Sequence, residues 1–279
     1  MRIDFQVLNR RFSSLVRDVD RELDSFVHAI DLDELSRHNA GYRAYAGQKF
    51  KSFVELEKNR FISALDYVRA SLSHGAVCDL GCFVPYLPVA LAKLGYEVKI
   101  VDKYSLYGTE LKRSIEQLAS KWSIQVFDLD ILNDDFSVLG RNDVVFLMAV
   151  IEHLNGSPRV LMEKARSIIS ERGYLLFEVP NIAEFSKRLA PLLGRSILPD
   201  YAVYFDSAYP FAGHNREMTL AEVAYLFRAT GYQVEHLFCY DYGPGLPNGW
   251  KGRLLRIGKA LAPMKNKEQV IRAVVRPRK

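Results

Sequence analysis

The chain has 279 residues, 49% hydrophobic and 25% charged, the makeup of a soluble globular protein with room for one large α/β domain or two small ones. No stretch approaches the roughly 18 uninterrupted apolar residues of a membrane span. The opening MRIDFQVLNRRF is too polar for a signal peptide, and three scattered cysteines (Cys78, Cys82, Cys239) argue against a disulfide framework, so a cytoplasmic location is expected. The net charge of +5 divides unevenly, with residues 249–279 carrying +9 and the remainder −4; a basic tail on a mildly acidic body is not the footprint of a uniformly basic nucleic-acid binder.

At the start, Phe5, Leu8, Phe12, Leu15, Val19, Leu23, Phe26 and Ile30 recur at spacings of three and four, which predicts one long amphipathic helix over the first 36 residues. Its stripe either packs on its own domain or, being close to a short heptad seam, makes a homodimer contact. A second helix is predicted over 51–72. Between them GYRAYAGQKF (41–50) reads as a loop or lid carrying Tyr42, Tyr45 and Phe50. Residues 1–75 thus form an N-terminal helical region, and 76–279 the main domain.

From residue 76 strands and helices alternate. AVCDLG, VKIVD, SIQVFD, DVVFLMAV and YLLFEVP are strand-like; helices are predicted over 86–94, 108–121 and 158–171, the last opened by Ser157-Pro158 and stopped at Gly173. Apolar strands alternating with helices imply an α/β, doubly wound, mostly parallel sheet covered on both faces. An insertion at 181–218 then brings six aromatics: Phe185, Tyr201, Tyr204, Phe205, Tyr209 and Phe211. It is expected to close over the site with the N-terminal lid. TLAEVAYLFRATG carries a capping box (Thr219, Glu222) and a stop at Gly231. Two further strands, YQVEHLFCYDY and QVIRAVVRP, flank a basic segment at 244–268.

Ligands of such sheets bind at the carboxyl ends of the strands. There VCDLGCFVPYLP (77–88) keeps Gly81 but has Phe83 and Pro85 where a dinucleotide loop has glycines, so a pyrophosphate cradle is poorly made. S-adenosylmethionine asks less: one close backbone approach at Gly81, an acid for its ammonium at Asp79, and an acid for the ribose hydroxyls at Asp102, 21 residues beyond Gly81. Asp128, ending the third strand, is placed to meet the adenine amino group. Each of these acids has a plainer reading as a loop or helix cap.

These motifs, with VIEHL after the fourth strand, RGYLLFEVPN through the fifth and GHNREMTLAEVAYLFRATGY before the sixth, resemble those of the class I S-adenosylmethionine-dependent methyltransferases, in particular small-molecule and glycan O-methyltransferases. The resemblance covers roughly 76–182 and 213–277 and implies a Rossmann-like, seven-stranded sheet with its last strand inserted antiparallel. Cys82, Lys103, Leu129 and Ala149, which adjoin the three acids or end the fourth strand, complete the expected cofactor contacts. Family resemblance also puts the Glu152-His153 pair beside the active site. His153, and His214 where the insertion returns to the sheet, are the candidate general bases for a hydroxyl acceptor; each has an alternative as a structural brace. No metal ligand set is expected, and the acid-rich DLDILNDD (128–135) reads as a solvated loop.

The tail offers one more element. Trp250, Leu254, Ile257 and Leu261 share a helical face among Lys251, Arg253, Arg256 and Lys259, a pattern suited to an anionic membrane surface, to a phosphorylated or lipid-linked acceptor, or to packing on the sheet. O-methylation of a small molecule or glycan is the leading expectation, with N-methylation next and nucleic acid below it. A catalytically inactive methyltransferase-like scaffold is the alternative, motivated by Phe83 and Pro85.

Overall fold

The computed structural model describes residues 3–28, 30–45, 49–243 and 249–278. Three helices open the chain: α1 (Phe5–Arg11), α2 (Ser13–His28) and α3 (Leu32–His38). A 3₁₀ segment follows at Ala40–Tyr45 and then α4 (Lys49–Ser71). The single long helix expected here is divided at Phe12, which ends α1, and again at Asp31. Asp4 opens α1 by accepting from the amides of Gln6 and Val7; Asp31 accepts from those of Asp33 and Glu34 and starts a new helix instead of continuing the old one. The apolar stripe still works as one surface, because Leu8, Phe12, Val19, Leu23 and Phe26 are all buried within the chain. α1 packs on α4, and α2 on the two helices described next. That occupies the face from which a homodimer contact was expected.

The main domain continues with β1 (Ala76–Leu80), α5 (Tyr86–Lys93), β2 (Glu97–Asp102), α6 (Thr109–Lys121), β3 (Gln125–Asp128), β4 (Asn142–Met148), α7 (Arg159–Ser167) and β5 (Ile169–Pro180). The insertion holds α8 (Phe185–Leu189) and α9 (Tyr201–Asp206); α10 (Leu220–Ala229), β6 (Tyr232–Tyr240), α11 (Trp250–Leu261) and β7 (Val270–Pro277) end the chain. The seven strands run in the order β3-β2-β1-β4-β5-β7-β6. Strands β1 to β5 are mutually parallel, and β7 lies antiparallel between β5 and β6. The strand order reverses between β1 and β4, so their carboxyl ends open a crevice there.

Helices α5 and α6, with the N-terminal helices, cover one face of the sheet, while α7 and α10 cover the other. The α10 capping box forms as expected, with the Thr219 amide donating to Glu222 and the Glu222 amide to Thr219. Gly173, expected to stop a helix, lies inside β5: α7 ends at Ser167 and the strand begins at Ile169. A Cβ at 173 would stand 2.8 Å from the Asn142 carbonyl oxygen and 2.9 Å from that of Asp143, so close approach to β4 explains this glycine.

One ionic group crosses the sheet core. Glu178 on β5 faces Arg272 on β7 in the strand register, and both are buried. The Glu178 carboxylate accepts from Arg272 Nε and Tyr240 Oη at 2.5 Å each and from Arg60 Nε at 3.0 Å. Arg272 also donates to Ser63 Oγ at 2.6 Å. Burial raises the Glu178 carboxyl, but the two guanidinium groups and the Tyr240 hydroxyl outweigh it and hold the group below its ordinary value.

Candidate active site

A cleft of about 1290 Å³ lies over the carboxyl ends of β1, β2 and β4, bounded above by the insertion and the 34–42 segment. Its floor is set by two backbone features. Gly81 has φ +76°, and a Cβ there would stand 2.5 Å from Val150 Cγ2, so only glycine fits between the β1 turn and the end of β4. Ala149, just past β4, has φ +58°, a left-handed conformation that costs a non-glycine residue about 1–2 kcal/mol. Such strain concentrates at functional sites; here it turns the chain so that Val150 closes on Gly81. The turn's amides are already committed, because Gly81 and Cys82 both donate to the Val101 carbonyl, at 2.8 and 3.2 Å. Two amides that a pyrophosphate cradle would use are thus turned to β2 instead of the cleft.

Asp79 and Asp102 line this floor. Burial pushes Asp79 up to about 7; a hydrogen bond with the Cys82 side chain pulls it down, and the neighbouring Asp102 carboxylate pushes it further up. Burial likewise pushes Asp102 up to about 6, against hydrogen bonds from the Lys103 amide (2.7 Å) and the Tyr107 hydroxyl (3.2 Å). Neither has an ion-pair partner among the described residues. Two desolvated carboxylates without ion-pair partners are suited to a ligand that offers an ammonium and hydroxyl donors. Phe83, at an expected glycine position, packs its ring between Tyr107 and Tyr42, with centroids 5.1 and 6.2 Å away, and lines the cleft. It replaces backbone approach by an aromatic wall.

Gly81, Cys82, Lys103, Leu129 and Ala149 also line the cleft. Asp128 does not: it pairs with Lys112 Nζ at 2.7 Å and accepts from the Ser105 amide at 3.3 Å. Asp130 takes the expected place on the cleft wall, with Ile131 and Leu132. Partial burial raises Asp130, but hydrogen bonds from Asn133, the Leu132 amide and Lys103 hold it down to about 2. The segment expected to be a solvated loop is therefore part of the site.

At the other end of the cleft, Glu152, His153 and His214 converge. Glu152 has 0% exposure, and neither of its carboxylate oxygens has a hydrogen-bond partner among the described residues. Its Oε1 lies 4.0 Å from His153 Nε2 and 3.9 Å from His214 Nε2. The rings of the two histidines meet edge to face at 4.9 Å. Each ring is oriented through its far nitrogen. His153 Nδ1 lies 2.9 Å from the Ala212 carbonyl oxygen and 3.1 Å from that of Gly213, and His214 Nδ1 lies 2.8 Å from Glu217 Oε1. Those partners only accept, so each Nδ1 carries a proton, and in the neutral form of each ring Nε2 presents a lone pair. Burial, reinforced by the charge of His214, lowers His153 to about 4; burial raises Glu152 to about 7, against the pull of His214.

The insertion is held over this cluster by backbone hydrogen bonds. The Ala208 amide donates to the Arg37 carbonyl at 2.6 Å and the Ala212 amide to the His38 carbonyl at 2.7 Å, while Asn215 and Arg216 donate to the Glu152 carbonyl at 2.6 and 3.1 Å. His38, which the sequence reading did not single out, lines the cleft, and its Nδ1 lies 3.1 Å from the Pro210 carbonyl oxygen. Of the six insertion aromatics only Phe211 lines the cleft; Ile197, Leu198, Pro199 and Val203 cover it instead, and Tyr201, Tyr204, Phe205 and Tyr209 face outward. Tyr42 is on the wall; the side chains of Tyr45 and Phe50 lie outside the described residues.

A glycine turn after β1, an acid ending β2, and a seventh strand inserted antiparallel define a class I S-adenosylmethionine-dependent methyltransferase. The chain belongs to the methyltransferase-domain family, whose profile matches residues 48–237; S-adenosylmethionine is its cofactor. No curated protein matches the chain by sequence. Among solved structures it resembles magnesium protoporphyrin IX methyltransferase from Synechocystis with bound S-adenosylhomocysteine, at 14% identity and a TM-score of 0.52 over 84% of this chain and 96% of that one. It also resembles the 1,6-didemethyltoxoflavin N1-methyltransferase of Burkholderia thailandensis, at 12% identity and 0.53 over 88% of each chain. A small RNA methyltransferase aligns at 20% identity and 0.53 over 80% of this chain and 26% of that one. At these identities the likeness is one of fold.

Proposed function

We propose that the protein moves a methyl group from S-adenosylmethionine to a hydroxyl oxygen of a small-molecule or glycan acceptor seated against Glu152, His153 and His214. The observation that carries this reading is the convergence of three proton-accepting side chains, two of them partly exposed imidazoles held through their Nδ1 atoms. An amine that reaches the site uncharged needs no base, whereas a hydroxyl must lose a proton to attack carbon. A cluster that only accepts is therefore suited to oxygen rather than nitrogen.

The cofactor supplies a sulfonium-bound methyl group that needs no further activation. Asp79 takes its ammonium, Asp102 its ribose hydroxyls with Tyr107 holding that carboxylate in place, and Asp130 with Leu129 and Ile131 the adenine end. Phe83 and the insertion exclude water. Alignment of the acceptor then does much of the catalytic work, since well-oriented partners gain roughly 7–11 kcal/mol over free encounter.

The acceptor is presented at an anionic, lipid-bearing surface. On α11, Trp250, Leu254, Ile257 and Leu261 are 70%, 58%, 49% and 78% exposed, flanked by exposed Arg253 and Arg256. The helix turns its glycines inward: Gly252 is buried, and a Cβ at Gly258 would stand 3.5 Å from the Phe185 ring of α8. An apolar face turned outward beside arginines fits a membrane surface better than packing on the sheet. Exposed Leu192 and Leu193, just beyond α8, extend the same apolar character.

Calorimetry with S-adenosylmethionine and S-adenosylhomocysteine on wild type and Asp102→Ala tests the cofactor assignment. Micromolar binding that weakens sharply in the variant supports it, and justifies an acceptor screen that starts with glycans. A product methylated on nitrogen alone would overturn the oxygen assignment.

A further inference from the structure

We infer that Glu152, His153 and His214 form a binding site for one divalent transition-metal ion, and that this ion holds the acceptor hydroxyl. Oε1 of Glu152 and Nε2 of each histidine lie within 4.8 Å of one another. All three are acceptors, so they repel unless something positive sits among them. A proton satisfies one pair at most, and the 3.9–4.0 Å separations are too long for it to bridge. A carboxylate that is wholly buried with both oxygens unpartnered leaves a large desolvation cost unanswered, which a cation offsets. Ligands about 2.0–2.2 Å from a zinc-sized ion stand about 3–3.5 Å apart. Small rotations of the two rings and the carboxylate therefore close the site.

The surroundings are those of a metal site. Metal-bound imidazoles usually donate their other N–H to a carbonyl or carboxylate, which fixes the ring. Here His153 does so to Ala212 and Gly213, and His214 to Glu217. Glu217 is anchored in turn by an ion pair with Lys187. Two imidazoles and one carboxylate suit zinc, manganese, iron, cobalt or nickel better than magnesium or calcium. Three protein ligands leave positions open toward the cleft, where the histidine side chains are 35% and 39% exposed.

The ion's role rests on the methyl-transfer reading above; the site does not. With the lone pairs of the cluster taken up by the ion, the ion replaces them as the means of deprotonation: a hydroxyl coordinated to it becomes more acidic and gives its proton to water. Its oxygen forms the new bond to the methyl carbon, and the methyl–sulfur bond breaks with its electron pair remaining on sulfur. Acceptors with a second oxygen beside the first, vicinal diols above all, bind best because they occupy two open positions.

Cobalt(II) chloride added to metal-stripped, full-length protein tests the site. One ion per chain is expected, read by calorimetry and by visible absorption, and unaffected by the presence of cofactor. His214→Ala should weaken binding at least ~100-fold and Glu217→Ala, which among the three ligands is bonded to His214 alone, ~10–100-fold. Glu152→Gln keeps the side-chain shape, and retained cofactor affinity shows that each variant is folded. No one-to-one binding by wild type, or binding that His153→Ala, His214→Ala and Glu152→Gln all leave intact, overturns the site. Methyl transfer that chelation abolishes and cobalt or manganese restores supports the role. Transfer that proceeds undiminished in verified metal-free protein overturns it. Cobalt binding without transfer to any hydroxyl acceptor upholds the site and counts instead against the oxygen-transfer reading.

Discussion

Glu152 and Glu178 are both withdrawn from solvent at the carboxyl ends of neighbouring strands, yet they sit in opposite surroundings. Glu178 is saturated: Arg60, Arg272 and Tyr240 meet its oxygens, and its carboxyl is held below its ordinary value. Glu152 meets only the lone pairs of two histidines and is pushed up to about 7 by burial. Burial of charge alone therefore says little about function. What separates a part of the frame from a part of the site is whether the charge is already answered from within the protein.

The sharpest way to break this contrast is to unpair the saturated carboxylate. Arg272→Met should cost about 3–5 kcal/mol, because it leaves a buried charge uncompensated, measured by urea unfolding. Adding Glu178→Leu should restore most of that loss. A single variant within 1 kcal/mol of wild type would mean that the group is not structural.

At the other carboxylate the effect should fall on rate. His153→Ala and His214→Ala should each lower methyl transfer at least ~10²-fold, equivalent to about 2.7 kcal/mol in the barrier, with cofactor affinity little changed. Near-wild-type turnover in both would remove the cluster from the chemistry.

Asp79 gives a finer test through pH. Its folded value is raised to about 7 from 3.8, so ionisation costs the free protein stability as pH rises from about 4 to 7. Binding an ammonium requires the ionised form, so cofactor affinity should be flat above pH 7 and fall about tenfold per unit below it. Calorimetry across pH checks this. Asp79→Asn should bind more weakly, with little of that dependence.

The smallest expected effect on folding lies at the surface. Trp250→Ala with Leu254→Ala should change stability by no more than about 0.5 kcal/mol per site, while reducing co-sedimentation with anionic vesicles. Undiminished sedimentation would remove α11 as the membrane contact.

The sheet was readable because parallel strands buried on both faces are uninterrupted apolar runs, the first three of them closed here by an acid or a glycine. The floor of the cleft was readable for the same reason, since Asp79, Gly81 and Asp102 sit at those closures. Asp128 misled because strand ends do not fix which way the next side chain turns; Lys112, one helix earlier, captures it and leaves the cleft wall to Asp130. The metal-ligand set was invisible because His214 is far from Glu152 in sequence and no spacing rule links a post-strand loop to the return of an insertion. The split of the first helix could have been foreseen, since Asp31 and Glu34 stand at capping-box separation. It was masked by an apolar period that runs through the break, because consecutive helices bury one continuous stripe.

The hydrogen bonds from Ala208 and Ala212 to the carbonyls of Arg37 and His38 also make the reactive centre a meeting of distant stretches of chain. Among the described residues, the turns after β1 and β2 that floor the cleft take no hydrogen bond from residues 207–212, whereas His214 stands beside Glu152 because its stretch is seated on the N-terminal segment and on the loop after β4. A change that unseats that stretch should therefore spare the floor of the cleft and pull the two halves of the cluster apart.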